Sequence, residues 1–198
     1  MTERSPILQE YLDTVQAAIR ARAPAGGKAE QAAERIFGAL ARPAPSGARN
    51  PVRLPCCTHL EAAFTGAERC PPEALRVARA FATVEPGVTW VRRGTAAAIG
   101  EPFFSGHANA LVVGPGGLEP RQDVWVGVSL VSPGVTYPDH THPPEEVYVV
   151  LSQGSWRQKD GPWHEPGLGG IVYNPPGIVH AMRAGAEPLL ATWCLWVG

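Results

Sequence analysis

The segment from Tyr137 to Leu151, YPDHTHPPEEVYVVL, places two histidines and three carboxylates directly before an apolar run. Successive side chains of a β-strand point to opposite faces, so residues with the same parity share a face. The even positions of this segment carry His140, His142, Glu146 and Tyr148. Two imidazoles and a carboxylate on one face form a donor set that suits Zn, Fe, Mn, Co or Ni. The segment therefore predicts a site for one divalent transition metal.

A fourth ligand is expected from a different strand. His180 follows a Pro-Pro-Gly turn in YNPPGIVHAM and opens a new strand pattern, which makes it the natural candidate. Taken singly, His140 and His142 would be ordinary residues of a polar loop, so the metal prediction depends on the whole set. Glu145 has the opposite parity from Glu146, and its carboxylate is expected to be solvated.

The strands that would carry these residues begin at about residue 89, where the apolar pattern changes to a period of two. In DVWVGVSL, four aliphatic residues face one way, and Trp125, Gly127 and Ser129 face the other. Turn signals such as GPGG, SPG, HPPE and NPPG separate the further strand candidates ALVVG, EVYVVLS, GSWRQKD, GGIVYN, VHAMRA and PLLATWCLWV. Many short strands with such turns indicate an antiparallel sandwich or a small barrel.

The first part of the chain has a helical pattern instead. In PILQEYLDTVQAAIRARA the apolar residues recur at steps of three and four, with Ser5 as the N-cap and Pro6 in the first turn. Further helices are expected over about 29–41 and from about Pro71. We therefore divide the chain into an N-terminal helical region, 1–88, packed on a β-barrel, 89–198. These helices are expected either to cap a sheet or to form the contact of a homodimer.

The composition limits the classes of partner that the protein is expected to bind. The 198 residues contain 17 Lys and Arg against 18 Asp and Glu, a net charge of −1, so no basic surface for nucleic acid is expected. No stretch approaches the ~18–20 apolar residues that span a bilayer, and acidic residues near the N-terminus do not fit a signal peptide. A cytoplasmic location, with four ordinary reduced thiols and a small-molecule substrate, is expected.

Two spacings resemble the paired motifs of the cupins. Gly134-x5-His140-x-His142-x3-Glu146 matches the first motif, and Gly169-x5-Pro175-x-Gly177-x2-His180 matches the second. The glycine that closes the first motif falls one place late, and the asparagine expected at position 184, after three intervening residues, is an alanine, but neither departure removes a ligand. The resemblance implies a mainly β fold, a double-stranded β-helix or jelly-roll barrel, preceded by a helical region.

Within the cupins, the array Tyr137-x2-His140-x-His142-x3-Glu146-x-Tyr148, with His180 downstream, resembles the bacterial dimethylsulfoniopropionate lyases of cupin type. This resemblance implies a metal-dependent carbon–sulfur lyase that converts dimethylsulfoniopropionate, or a closely related small carboxylate, to dimethyl sulfide and acrylate by β-elimination. The metal is expected to bind the substrate carboxylate while a tyrosine acts as the base. Tyr148, on the same face as Glu146, is the first choice for the base, and Tyr137 is the second.

The sulfonium end of such a substrate needs a cation site, for which aromatic faces are suited. Trp125, Trp193 and Phe104 are the candidates, although packing in the core is the commoner role of strand tryptophans. Two other functions fit the same donors. One is an Fe(II)-dependent dioxygenase that uses three of them as a facial triad, and the other is a non-catalytic metal cupin that binds a small acid.

Overall fold

Two antiparallel β-sheets face each other in the computed structural model, which describes residues 3–47 and 50–198. The strands of this part of the chain are β1 Trp90–Val91, β2 His107–Val113, β3 Val124–Val131, β4 Thr136–His140, β5 Glu145–Val150, β6 Ser155–Gln158, β7 Ile171–Asn174, β8 His180–Arg183 and β9 Leu189–Trp196. The larger sheet has the order β1-β2-β3-β9-β5-β7, and the smaller one has the order β4-β8-β6. Neighbouring strands pair antiparallel throughout, as the short strands and turn signals predicted.

The larger sheet has one face toward the helices and the other toward the smaller sheet. In β3, Val126 and Val128 belong to the hydrophobic core that the sheet shares with the helices. In β5, Val147 and Val149 point to the same core, whereas Tyr148 belongs to the second core, which lies between the sheets. The aliphatic face predicted from DVWVGVSL therefore packs on the helices, and the opposite face looks into the interior.

The helices are α1 Pro6–Arg22, α2 Lys28–Leu40, α3 Leu60–Ala67, α4 Pro72–Val84, α5 Ala96–Ile99 and α6 Phe103–Gly106, with short 3₁₀ turns at Pro55–His59 and Glu85–Gly87. Pro6 begins α1 at a position where the N–H it lacks would have no helical partner. The Tyr11 hydroxyl of α1 lies 3.2 Å from Thr192 Oγ1 of β9, which ties the helix layer to the sheet. In the described ranges, no helix combines the length and the hydropathy that crossing a membrane requires.

The helices predicted near residues 6–23, 29–41 and from 71 are confirmed as α1, α2 and α4, with shifts of about a residue at their ends. The prediction missed α3, α5, α6, β1 and β4. Strand β4 has no apolar alternation and contains Pro138, which is tolerated because β4 is an edge strand of its sheet. The four cysteines are buried free thiols, as expected.

Candidate metal centre and active site

The four predicted ligands come from three strands and one turn. His140 ends β4 and stands opposite His180, the first residue of β8, in the antiparallel ladder. His142 lies in the turn between β4 and β5, where two prolines interrupt the ladder, and Glu146 lies on β5 of the larger sheet. The ligands therefore come from both sheets and meet in the space between them.

Three of these side chains bring donor atoms together. One donor atom each from His142, Glu146 and His180 lie within 4.8 Å of one another. Nε2 of His142 and Nε2 of His180 each lie 3.3 Å from Oε2 of Glu146. Ligands about 2.1 Å from a tetrahedral metal ion are separated by roughly 3.4 Å, so these spacings suit a single ion.

Hydrogen bonds to the main chain set the tautomer of each imidazole. Nδ1 of His140 donates to the Pro138 carbonyl at 2.9 Å, and Nδ1 of His142 donates to the Pro144 carbonyl at 2.9 Å. Nδ1 of His180 donates to a backbone carbonyl at 3.1 Å. Because a carbonyl oxygen only accepts, Nδ1 carries a proton in each ring, and Nε2 of the neutral imidazole is the nitrogen whose lone pair can bind a metal.

His180 also has a buried ring nitrogen that lacks a hydrogen-bond partner among the described residues. Its Nε2 atom is buried and has no hydrogen bond of acceptable geometry to any described residue, although the Glu146 carboxylate is near. A buried polar atom without a partner costs stability unless something else satisfies it. The orphaned nitrogen, the tautomers and the adjacent carboxylate together fit a divalent transition metal.

His140 lies beside this three-donor cluster. Its ring centroid is 4.0 Å from that of His180. Burial, reinforced by the neighbouring His180, lowers the pKa of His140 to about 3, so the imidazole is neutral at ordinary pH. Its tautomer is that of a ligand, and its place as the fourth ligand stays a prediction.

The charge of the cluster resides on Glu146. Burial alone would raise the pKa of this carboxyl group, but the imidazoles of His142 and His180, whose Nε2 atoms lie 3.3 Å from Oε2, outweigh burial and hold it far below its ordinary value. The pKa of His142 is raised in turn, since its bond to Glu146 overcomes the effect of burial. The site thus keeps an ionised carboxylate in a buried position, where it can bind a cation.

Asn174 supports this carboxylate and was missed by the sequence reasoning. It is fully buried and stands opposite Glu146 in the β5–β7 ladder, and its Nδ2 donates to Glu146 Oε2 at 2.8 Å. Gln158 Nε2 in turn donates to Asn174 Oδ1 at 2.7 Å. The available signal was an asparagine at the end of a strand, directly before the Pro-Pro-Gly turn that leads to His180.

Gly177 connects the two ligand-bearing turns. Its φ of 69° lies in the left-handed region, which glycine adopts without a steric penalty. Its N–H donates to the His142 carbonyl at 3.0 Å, and its own carbonyl accepts a hydrogen bond from Thr141 Oγ1 at 2.9 Å. The second-motif turn therefore fixes the backbone of the first-motif turn, which explains the glycine at this position.

A cavity of about 1200 Å³ opens beside the cluster, and both candidate tyrosines line it. Tyr148 is buried, and burial raises its pKa well above the ordinary value, with the Glu146 charge adding to the effect. Tyr137 packs against the His140 ring, with 4.7 Å between centroids, and its hydroxyl accepts a hydrogen bond from Asn109 at 3.3 Å. Both phenols therefore adjoin the metal cluster.

The three aromatic candidates occupy different places. Trp125 and Trp193 line the cavity, and Trp193 Nε1 donates to Ser129 Oγ at 3.1 Å. Phe104 does not contribute to the wall formed by the described residues, and the guanidinium of Arg92 lies over its ring, 4.3 Å from the centroid. The structure thus brings the two tryptophans, but not Phe104, into the same space as the cluster.

Glu145 differs from the prediction that it is solvated. It is buried, with 7% of its surface exposed, because its side of β5 is covered by α2. Arg35 of α2 forms an ion pair with this carboxylate, and the Tyr173 hydroxyl donates to it at 2.9 Å. The Glu145 side chain does point away from Glu146, as the parity predicted, but α2 covers that side of β5 in place of solvent.

Comparisons with known proteins identify the family of this chain. The family model of dimethylsulfoniopropionate lyases matches residues 28–191. The DddL protein of Cereibacter sphaeroides is 28% identical over 151 residues, which are 76% of this chain and 62% of that protein. The dimethylsulfoniopropionate lyase DddQ of Ruegeria pomeroyi is 26% identical over 201 residues, covering 100% of this chain and 92% of DddQ.

The crystal structure of DddQ from Ruegeria pomeroyi DSS-3 matches 98% of this chain and 92% of its own chain, with a TM-score of 0.71 and 25% sequence identity. The likeness thus extends through the helices as well as the sheets, and the predicted cupin barrel with an N-terminal helical region is confirmed. Because the family model covers most of its length, this chain belongs to the dimethylsulfoniopropionate lyase family.

Proposed function

We propose that this chain cleaves dimethylsulfoniopropionate, or a closely related small carboxylate, to dimethyl sulfide and acrylate. The observation that carries the proposal is the cluster of His142, Glu146 and His180, whose donor atoms converge beside a cavity lined by both candidate tyrosines and both candidate tryptophans. Family membership adds the substrate class. His140 completes the ligand set in this proposal.

The reaction is a β-elimination in which a base removes a proton from the carbon next to the carboxylate. The electron pair of that C–H bond forms the C=C bond of acrylate, while the C–S bond breaks and dimethyl sulfide leaves as a neutral molecule. His140, His142, Glu146 and His180 would hold a divalent metal, which would supply Lewis-acid chemistry by stabilising the negative charge that develops on the substrate carboxylate.

The base in this proposal is Tyr148, and Tyr137 is the second candidate. Tyr148 lies on the inner face of β5, two residues after the ligand Glu146, so its phenol faces the same cavity. Positive charge near a phenol favours the phenolate, and the cluster is the place in the site where a cation binds. Tyr137 contacts the His140 ring and is suited to orient the substrate.

The two tryptophans form the other end of the proposed site. Trp125 and Trp193 present aromatic surface to the cavity, where a desolvated sulfonium group is attracted to ring faces. The cation is thus held apart from the imidazoles, while the carboxylate end lies toward Glu146 and the metal. Phe104, from its place under Arg92, is a weaker candidate for this role.

The direct test is detection of dimethyl sulfide in the headspace above purified, metal-replete protein. Wild type is expected to release it, and Tyr148→Phe is expected to lose turnover by at least about a hundredfold while retaining its metal content. Tyr11→Phe is the matched control, because Tyr11 is also a buried tyrosine but lies in the helix-side core, and its activity should stay near wild type. Equal turnover by Tyr148→Phe and wild type would contradict the assignment of the base.

The Fe(II) dioxygenase is the second candidate function. Two histidines and one carboxylate, the composition of the three-donor cluster, are the facial triad of non-haem Fe(II) oxygenases. The two reactions differ in their requirement for O₂, because an elimination consumes none. Sulfide release under anaerobic conditions at the aerobic rate supports the lyase, and turnover that requires oxygen supports the dioxygenase.

A further inference from the structure

An arginine with no acidic partner faces the same cavity. Arg93 follows β1, lines the cavity and is half-buried, and its Cζ atom lies 6.0 Å from the centroid of the Tyr137 ring. None of the described carboxylates forms an ion pair with it. Arg93 thus brings a positive charge to the cavity, and no described carboxylate neutralises that charge.

The other arginines of the cavity wall are already engaged. Arg35 pairs with Glu145. Arg92 donates from Nε to the Phe104 carbonyl at 2.7 Å, and its guanidinium covers the Phe104 ring. Among the described residues of this wall, Arg93 is therefore the arginine whose guanidinium has no carboxylate or carbonyl partner.

The backbone that carries Arg93 is held in place by a buried histidine. The Arg93 N–H donates to Nε2 of His107 at 2.9 Å, and Nδ1 of His107 donates to the Phe103 carbonyl at 2.6 Å. The His107 ring is stacked on Phe103 with 3.7 Å between centroids. Burial lowers the pKa of His107, so the ring stays neutral and Nε2 remains an acceptor. Both nitrogens are used, which preorganises the turn before any ligand binds.

The positive charge of Arg93 lies beside Tyr137, near the candidate metal site. The Arg93 guanidinium lies over the Tyr137 ring, and that ring packs against the His140 ring with 4.7 Å between centroids. An anion that enters beside Tyr137 is repelled by the ionised Glu146 but attracted by this guanidinium. An arginine presents several N–H donors in a planar fork that matches the two oxygens of a carboxylate.

We propose that Arg93 binds the carboxylate of the substrate and thereby selects small carboxylates and fixes which end faces the metal cluster. This inference rests on the proposed function and adds a specificity-determining residue to it. The guanidinium donates charge-assisted hydrogen bonds to the carboxylate, and the sulfonium end is left toward the tryptophans. The same contact applies to any small carboxylate that enters the cavity.

The test compares Arg93→Gln and Arg93→Lys with wild type. Arg93→Gln should raise KM for dimethylsulfoniopropionate by about tenfold or more, the loss expected for a hydrogen bond between charged groups, and leave kcat within about threefold. Arg93→Lys keeps the charge and should recover part of the loss. Arg76→Gln, an exposed change of the same charge on α4, is the control and should match wild type.

Binding of propionate, measured calorimetrically on metal-replete protein, separates this proposal from the proposed function because it needs no turnover. Propionate that binds wild type at least about tenfold more tightly than Arg93→Gln supports the proposal, even if no dimethyl sulfide is ever released. Equal propionate affinity in the two proteins overturns it. A fall in kcat with unchanged KM also overturns it, since Arg93 would then act on the chemistry and not on binding. Metal content and thermal unfolding, unchanged in both variants, verify that the site and the fold are intact.

Discussion

Replacing Asn174 by leucine tests whether the metal site depends on the residue that orients its carboxylate. Asn174 is fully buried, and its amide donates to the oxygen of Glu146 that lies nearest to both imidazoles. Leucine has a similar volume, so Asn174→Leu removes the donor without opening a cavity. Gln158 loses one acceptor but retains its hydrogen bond to the Tyr173 carbonyl at 2.7 Å, which limits the damage to the carboxylate itself.

The expected effect follows from the single bond that is lost. A hydrogen bond to a charged group contributes about 1.5–3 kcal/mol, and loss of an outer partner of a metal ligand lowers metal affinity by about 10–100-fold. That range corresponds to roughly 1.4–2.7 kcal/mol, so the two estimates agree. Asn174→Leu should therefore bind the metal about 10–100-fold more weakly than wild type.

The measurement is the dissociation constant for Zn²⁺, obtained by competition with a chelating dye at constant pH. Thr192→Val is the control, because it removes a hydroxyl that is also fully buried but lies beside Tyr11 on the helix side of the sheet. Both variants should lose some stability on thermal unfolding, and Asn174→Leu alone should lose metal affinity. If both bind Zn²⁺ as tightly as wild type, Asn174 does not orient Glu146 for a metal and the reasoning is refuted.

Two further changes test the packing of the cavity wall and a buried ion pair outside the site. Gly127→Ala places a methyl group against the Trp193 ring and 2.6 Å from a backbone carbonyl. It should therefore raise KM and, in a denaturant titration, destabilise the fold by about 1–3 kcal/mol. Gly38→Ala is the control, because its methyl group would meet nothing within 4 Å, and it should not reduce stability in the same titration. Arg4→Met leaves the buried Glu119 carboxylate without its main partner and should cost about 3–5 kcal/mol at neutral pH. Burial raises the pKa of Glu119, but hydrogen bonds from Arg4, the Ala44 N–H and Arg121 together outweigh burial and lower it overall, so these bonds stabilise the fold above the ordinary glutamate pKa of about 4.3. The difference between Arg4→Met and wild type should therefore shrink as the pH of the titration falls below that value, and a constant difference down to pH 3 would contradict the role of the ion pair.

The features that could be predicted from the sequence are those that depend on the local pattern of residues. The alternation in β5 identified the faces of Glu146 and Tyr148, and the turn before His180 identified the strand that brings in the second-motif histidine. The residues that were missed depend on pairings between distant segments. Asn174 acquires its role only because β7 lies beside β5 in the register that sets it opposite Glu146, and nothing in the local sequence fixes that register.

Arg93 was missed for a similar reason. It belongs to a short connection after a two-residue strand, and its neighbours in sequence, Arg92 and Gly94, give no chemical pattern. Its position becomes meaningful only when β2 brings His107 beneath it and β4 brings Tyr137 beside it. Strand β4 was itself missed, since an edge strand with a proline has neither the alternation nor the apolar content by which strands are recognised.

The two adjacent carboxylates at the start of β5 show how the helix layer contributes to the site. Glu145 and Glu146 are both buried, and two neighbouring buried negative charges would strongly destabilise a strand if they shared one environment. The alternation of the strand separates them, since Glu146 turns inward to the imidazoles and Glu145 turns outward to Arg35 of α2. Helix α2 therefore provides the counter-charge that allows β5 to carry two buried acids in succession. For that reason the N-terminal helices help to position the site, although none of their described side chains belongs to the cluster of His142, Glu146 and His180.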